Sequence, residues 1–118
     1  MSQAAALTGQ DTVLDRAHLT RMTFGDRSLE REVLELFARQ AVLLVERMRS
    51  GNAMAIAALA HTLKGSAANI GAGSVAKNAL ATEQAANGPD VECGQAIDRL
   101  ALAVDEARAL ISDLLRQM

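Results

Sequence analysis

Residues Ala60–Ala72 read AHTLKGSAANIGA. The stretch has helical character, yet a histidine is followed three residues on by a lysine and then at once by a glycine. Glycine inside a helix costs about 1 kcal/mol relative to alanine. A helix that accepts this cost one turn after a histidine needs a reason, and the spacing of the surrounding residues supplies one. On a helical wheel at about 100° per residue, Ile56, Leu59, Leu63 and Ile70 fall within about 60° of one another and define an apolar stripe. His61 lies about 170° from the centre of that stripe. Its neighbours one turn back are Ala57 and Ala58; one turn on are Lys64 and Gly65, and two turns on is Ala68. Apart from Lys64 nothing near the imidazole is large. Gly65 removes even a methyl group, which leaves room for something bulky to approach the ring. Lys64 shares the histidine's flank and offers a cation to an anion placed there. The competing reading makes Gly65 a site of close packing against a neighbouring helix and His61 an inert surface residue.

The rest of the chain frames this helix. Its 118 residues fit one domain. Half of them are hydrophobic, but the aromatics are two phenylalanines only, and the single proline is Pro89. Abundant Ala, Leu, Glu and Arg favour helix, and runs of alternating β-branched residues are missing. A short helix is expected from VLDRAHL, ending near TFGD. SLEREVLELFARQAVLLVERMRSG reads as a long second helix, with Leu29, Val33, Leu36, Phe37, Leu44 and Met48 on its apolar face. Gly51 stops it, and Asn52 caps a third helix over 53–70. Gly71 to Ser74 break that helix, and a fourth spans about 75–86. Asn87 to Pro89 stop the fourth, and the last carries Ile97, Leu100, Val104, Ala107, Ile111, Leu114 and Met118 in alternating steps of three and four. Long amphipathic helices joined by short breaks predict an all-α fold, an antiparallel four-helix bundle with a short additional N-terminal helix. The bundle is assigned to residues 12–118 and a flexible segment to 1–11.

A second polar residue bears on the histidine. In the fourth helix Val75, Ala76, Ala79, Leu80 and Ala86 make the apolar face, and Glu83 falls inside it. An inward carboxylate needs a partner, and His61 or Lys64 on the adjacent helix can provide it. A carboxylate bonded to one ring nitrogen fixes the tautomer and leaves the other nitrogen free as a nucleophile. The alternative is a border residue reaching solvent. Gln84 points about 100° further round and is the weaker candidate.

Composition narrows the function classes. The net charge of −2 and the absence of a basic stripe interleaved with aromatics give nucleic-acid binding no support. The lone Cys93 precludes an intrachain disulfide and a cysteine-rich metal site. His61 and Glu83 make at most two metal ligands, and His18 has no partner at helical spacing. No run approaches the roughly 20 apolar residues of a membrane span, the N-terminus lacks the features of a signal peptide, and a cytoplasmic protein is expected. No Gly-rich phosphate loop, Walker motif or acidic cluster for Mg²⁺ is present.

AHTLKGSAANIGA closely resembles the phosphorylation motif of histidine-containing phosphotransfer domains, through His61, Lys64, Gly65, the small Ser66 and Ala67, and the helix-ending Gly71. GDRSLEREVLELFARQA (Gly25–Ala41) resembles the preceding helix of that family, and the likeness extends over about residues 12 to 117. The resemblance implies a monomeric four-helix bundle and a phosphorelay intermediate that is not itself a kinase. By it, His61 is the phosphoacceptor, taking the group from an aspartyl phosphate of a response-regulator receiver domain, free or within a hybrid histidine kinase, and passing it to another receiver. Lys64 is the cationic helper and Gly65, with Ala57, Ala58 and Ala68, the access surface. The chain needs no cofactor, and Mg²⁺ is expected on the receiver. Many members have glutamine twenty-two positions after the histidine, bonded to its ring; here that residue is Glu83. Two other readings compete. The dimerisation and phosphoacceptor helices of a histidine kinase also carry a surface histidine, but usually with an acidic residue directly after it and a proline shortly beyond; here Thr62 follows and no proline precedes Pro89. A helical adaptor would bind through the alanine-rich face with His61 incidental.

Overall fold

A computed structural model describes residues 12–118; the expectation for residues 1–11 lies outside them. The described residues form five helices and no strand: α1 (Arg16–Met22), α2 (Arg27–Arg49), α3 (Ala53–Ile70), α4 (Gly73–Ala85) and α5 (Asp90–Gln117). The four long helices pack in a ring, α2 on α3, α3 on α4, α4 on α5, and α5 back on α2, while α1 lies against α3.

Local chemistry sets most boundaries. The side chain of Asp26 accepts from the Leu29 N–H at 3.0 Å, and that of Asn52 from the Ala55 N–H at 2.9 Å, each satisfying a donor left unpaired in the first turn. The first helix starts later than VLDRAHL suggests. Asp15 adopts an extended backbone (φ −89°, ψ 98°) and its carboxylate accepts from the His18 N–H, so the helix begins at Arg16 and runs to Met22. The fourth helix starts two residues earlier than expected, at Gly73. The break after α3 is confined to Gly71 and Ala72. Gly71 is left-handed (φ +83°), and a Cβ there would stand 3.0 Å from the Asp15 carbonyl oxygen. Both facts call for glycine.

The core is centred on Leu34, Phe37, Ala41, Met48, Ile56, Leu63, Val75, Leu100 and Ile111. Two of the expected apolar faces are rotated. On α2 the buried stripe runs through Glu30, Leu34, Phe37, Ala41, Leu44, Val45 and Met48. Leu36 lies about 130° and Leu29 about 110° from its centre, and they are 58% and 38% exposed. Val75, Ala79 and Thr82 of α4 and Ala86 at its C-cap are buried, whereas Leu80 is 41% exposed and Ala76 is at the edge. An unexpected buried residue of α4 is Thr82. Its hydroxyl lies 2.9 Å from the Asn78 carbonyl and 3.2 Å from that of Ala96 on α5, so burial strands no polar atom. This turns α4 so that Glu83 sits at the border facing α3 rather than inside the face.

The register of α2 is testable with two substitutions on one helix. Leu34→Ala empties a fully buried site and is expected to lower stability by about 2–5 kcal/mol. Leu36→Ala should change it by no more than about 0.5 kcal/mol. Paired chemical denaturation reads both, and equal losses would restore the face expected from periodicity.

Candidate functional site

The site is built on the facing flanks of α3 and α4. Leu63, Ala60 and Ala67 seat α3 in the core and turn His61 outward, its side chain 68% exposed. The tight turn at Gly71 folds α4 back alongside, and the Thr82 anchor fixes its rotation. Glu83 thereby reaches both candidates on α3. The His61 Nδ1–H donates to Glu83 Oε2 at 3.0 Å, and the Lys64 ammonium donates to Glu83 Oε1 at 3.0 Å. One carboxylate thus binds two groups, with a separate oxygen for each.

This arrangement has electrostatic consequences. The Lys64 bond holds the Glu83 carboxyl below its ordinary pKa; burial opposes the shift and the His61 bond adds to it. A carboxylate whose folded pKa is depressed keeps its pairing above the ordinary carboxylate range and loses it as pH falls through the depressed value, so Glu83 is an anion at neutral pH. With Nδ1 committed to that anion, the ring is held as the tautomer whose lone pair lies on Nε2. Nε2 has no hydrogen-bond partner among the described residues.

Of the expected access surface, Gly65 is exposed, and a Cβ built there would meet nothing within 4 Å. The glycine therefore does not serve packing between helices. Ala58 and Ala68 are exposed too. Ala57 is half-buried and packs against the core, so it adds less to the open face than the wheel suggests. Gln84, next to Glu83 in sequence, is exposed, and the ring bonds Glu83 instead.

Two features escape sequence reasoning. An open groove of about 360 Å³ begins at Lys64 and runs between α3 and α4 to α1, with His18, Ala68, Lys77 and Leu80 among its walls. At its far end the His18 Nε2–H donates to the Asn69 carbonyl at 2.8 Å, and the Asp15 N–H to the Gly71 carbonyl at 2.9 Å. These bonds clip α1 to the C-terminus of α3, where carbonyls lack helical partners. A bond from a side chain to a distant carbonyl leaves no periodic signal. Among the described residues no cluster of three or more His, Cys, Asp or Glu could hold a metal ion, and no helix is long and apolar enough to cross a membrane.

As a check on the site geometry, Glu83→Ala is expected to free both partners. In NMR spectra of the labelled protein, His61 should then populate both neutral tautomers, whereas the parent holds the Nδ1–H form; an unchanged tautomer would contradict the bond.

Comparison with known proteins places the chain in a family. A search of curated proteins returned no match. Histidine-containing phosphotransfer protein B (HptB) from Pseudomonas aeruginosa PAO1 has a similar structure, with a TM-score of 0.80 at 19% identity, covering 90% of this chain and 96% of that one; at that identity the likeness speaks for the fold. The family model described as Hpt domain matches residues 29–110, which include His61, Lys64, Gly65 and Glu83. With the match spanning more than half of the sequence, the chain belongs to the Hpt domain family, the histidine phosphotransfer proteins of two-component phosphorelays.

Proposed function

We propose that His61 is the phosphoacceptor of this chain, receiving a phosphoryl group from the aspartyl phosphate of a receiver domain and passing it to the aspartate of another. The observation that carries this reading is the division of labour on the ring: Nδ1 bound to Glu83 and Nε2 unengaged on an exposed face. In the transfer, the Nε2 lone pair forms the P–N bond as the P–O bond to the receiver's aspartate breaks and that aspartate leaves as a carboxylate. Phosphoryl transfer depends on in-line positioning and charge neutralisation more than on covalent help. Glu83 fixes the ring. Lys64 lies one turn along and neutralises charge on the incoming group. Gly65, Ala58 and Ala68 let a partner surface come close, with Ala57 beneath them.

The chain supplies the nucleophile and the cation, and the receiver brings the aspartate and its Mg²⁺. The protein is thus a carrier in the relay and not a kinase, working as a cytoplasmic monomer on receiver domains, free or within a hybrid histidine kinase. The scaffold we propose is the antiparallel four-helix bundle. Two ties between α2 and α5 favour it: Arg31 near the start of α2 donates to the Leu115 carbonyl near the end of α5, and Arg49 at the end of α2 pairs with Asp98 early in α5.

Incubation with phosphorylated receiver domains tests the assignment. The parent should gain an acid-labile, alkali-stable label, and His61→Gln should stay helical and take none. Label retained by that variant, or label on His18, would contradict it. Lys64→Ala should transfer more slowly at an unchanged melting temperature, because its side chain lies off the core. For Gly65, access and helix propensity pull apart. Gly65→Ala should gain up to about 1 kcal/mol of stability, while Gly65→Gln should remain folded and transfer poorly; a stable, fully active Gly65→Gln protein defeats the access role. Light scattering should give the mass of one chain, and a dimer would favour the kinase-helix reading instead.

A further inference from the structure

Resting on the phosphoacceptor reading above, we propose that Glu83 sets the lifetime of the phosphohistidine, by keeping the proton on Nδ1 of the phosphorylated ring. The nucleophilic form of the ring is the one with its proton on Nδ1, which faces Glu83 Oε2 at 3.0 Å. When Nε2 forms the P–N bond its lone pair is consumed, and a ring that keeps the Nδ1 proton becomes cationic. A carboxylate compensates that charge, whereas a neutral amide accepts the same hydrogen bond without compensating it.

The difference matters when the group leaves. From the cationic ring the P–N bond breaks with its electron pair going to Nε2, neutral imidazole departs, and no proton has to be found. From a ring that has lost the Nδ1 proton, the departing group is an imidazolate, a far poorer leaving group. This is why phosphohistidine is labile in acid and persists in alkali. Glu83 extends the labile form towards higher pH and so favours handing the group on over storing it.

Few other charges face the ring. Lys64 on its own helix shares Glu83 through the other oxygen. Lys77 of α4 and His18 of α1 line the groove beyond Lys64. On the other flank of α3, α2 brings the uncharged Leu36, Phe37 and Gln40 towards Ser66 and Asn69. Glu83 is therefore the anion placed to hold the proton. Lys64 limits its effect until the phosphoryl group draws the ammonium towards itself.

The test uses the full chain with phosphoramidate as a small phosphodonor, so no partner protein is needed. Decay of the phosphohistidine ³¹P resonance is followed from pH 5.5 to 9 for the parent, Glu83→Gln and Glu83→Asp, with circular dichroism to verify folding. At pH 5.5 all rings are protonated and the half-lives should agree. As pH rises the Glu83→Gln half-life should lengthen relative to the parent, to about tenfold at pH 9, the effect of a nearby opposite charge on a proton equilibrium. Glu83→Asp should follow the parent. A Gln-to-parent ratio that is constant with pH overturns the proposal, because simple repulsion between the carboxylate and the phosphoryl group would act at every pH; so do equal half-lives throughout, or an Asp variant that behaves as Gln does. A parent that forms no phosphohistidine on His61 fails earlier, and refutes the phosphoacceptor assignment itself.

Discussion

One carboxylate organises this surface. Glu83 bonds His61 through one oxygen and Lys64 through the other, each at 3.0 Å, and all three side chains owe their positions to that pairing and to the core beneath them. The carboxylate comes from a different helix from its partners, so the arrangement exists only if α4 lies against α3 at the right rotation and height. Gly71 sets the height. Its left-handed backbone and the close approach of Asp15 allow a two-residue reversal. Thr82 sets the rotation by hydrogen-bonding to α5 from inside the core. An exposed ion pair contributes little stability by itself; here its value is orientation, and the rigid packing around it supplies the precision.

The same logic explains the small residues around the ring. Leu63 and Ile70 hold α3 in the core, and that burial, worth about 1.5–3 kcal/mol for each large aliphatic side chain, easily covers the propensity lost at Gly65. Because a Cβ at 65 would touch nothing in this chain, the glycine contributes nothing to internal packing. On the proposed function its bareness serves a partner that arrives from outside.

Much of this was legible in the sequence because its signals are local. Asn52 caps its helix as expected, Gly71 ends it, Pro89 precedes the last one, and the outward direction of His61 follows from the stripe on its own helix. The rotated faces of α2 and α4 were not legible. A wheel ranks residues by hydrophobicity, but neighbouring helices decide which part of the circumference is covered. Leu29 and Leu36 lost their places to a stripe that includes Glu30, and Thr82 took a core position that its hydroxyl hides. The sequence offered Glu83 either His61 or Lys64, and only the assembled pair of helices brings both to it. The clip between His18 and Asn69 joins a side chain to a backbone carbonyl, for which no residue pattern exists.

The central claim is that Glu83 occupies Nδ1 and leaves Nε2 to react. The most direct measurement is the position of the phosphoryl group on the ring, read from ¹⁵N–³¹P couplings in the ¹⁵N-histidine-labelled, phosphorylated protein. The account predicts phosphorus bonded to Nε2 of His61, with the Nδ1 proton still present. Phosphorus on Nδ1, or on the ring of His18, would contradict it.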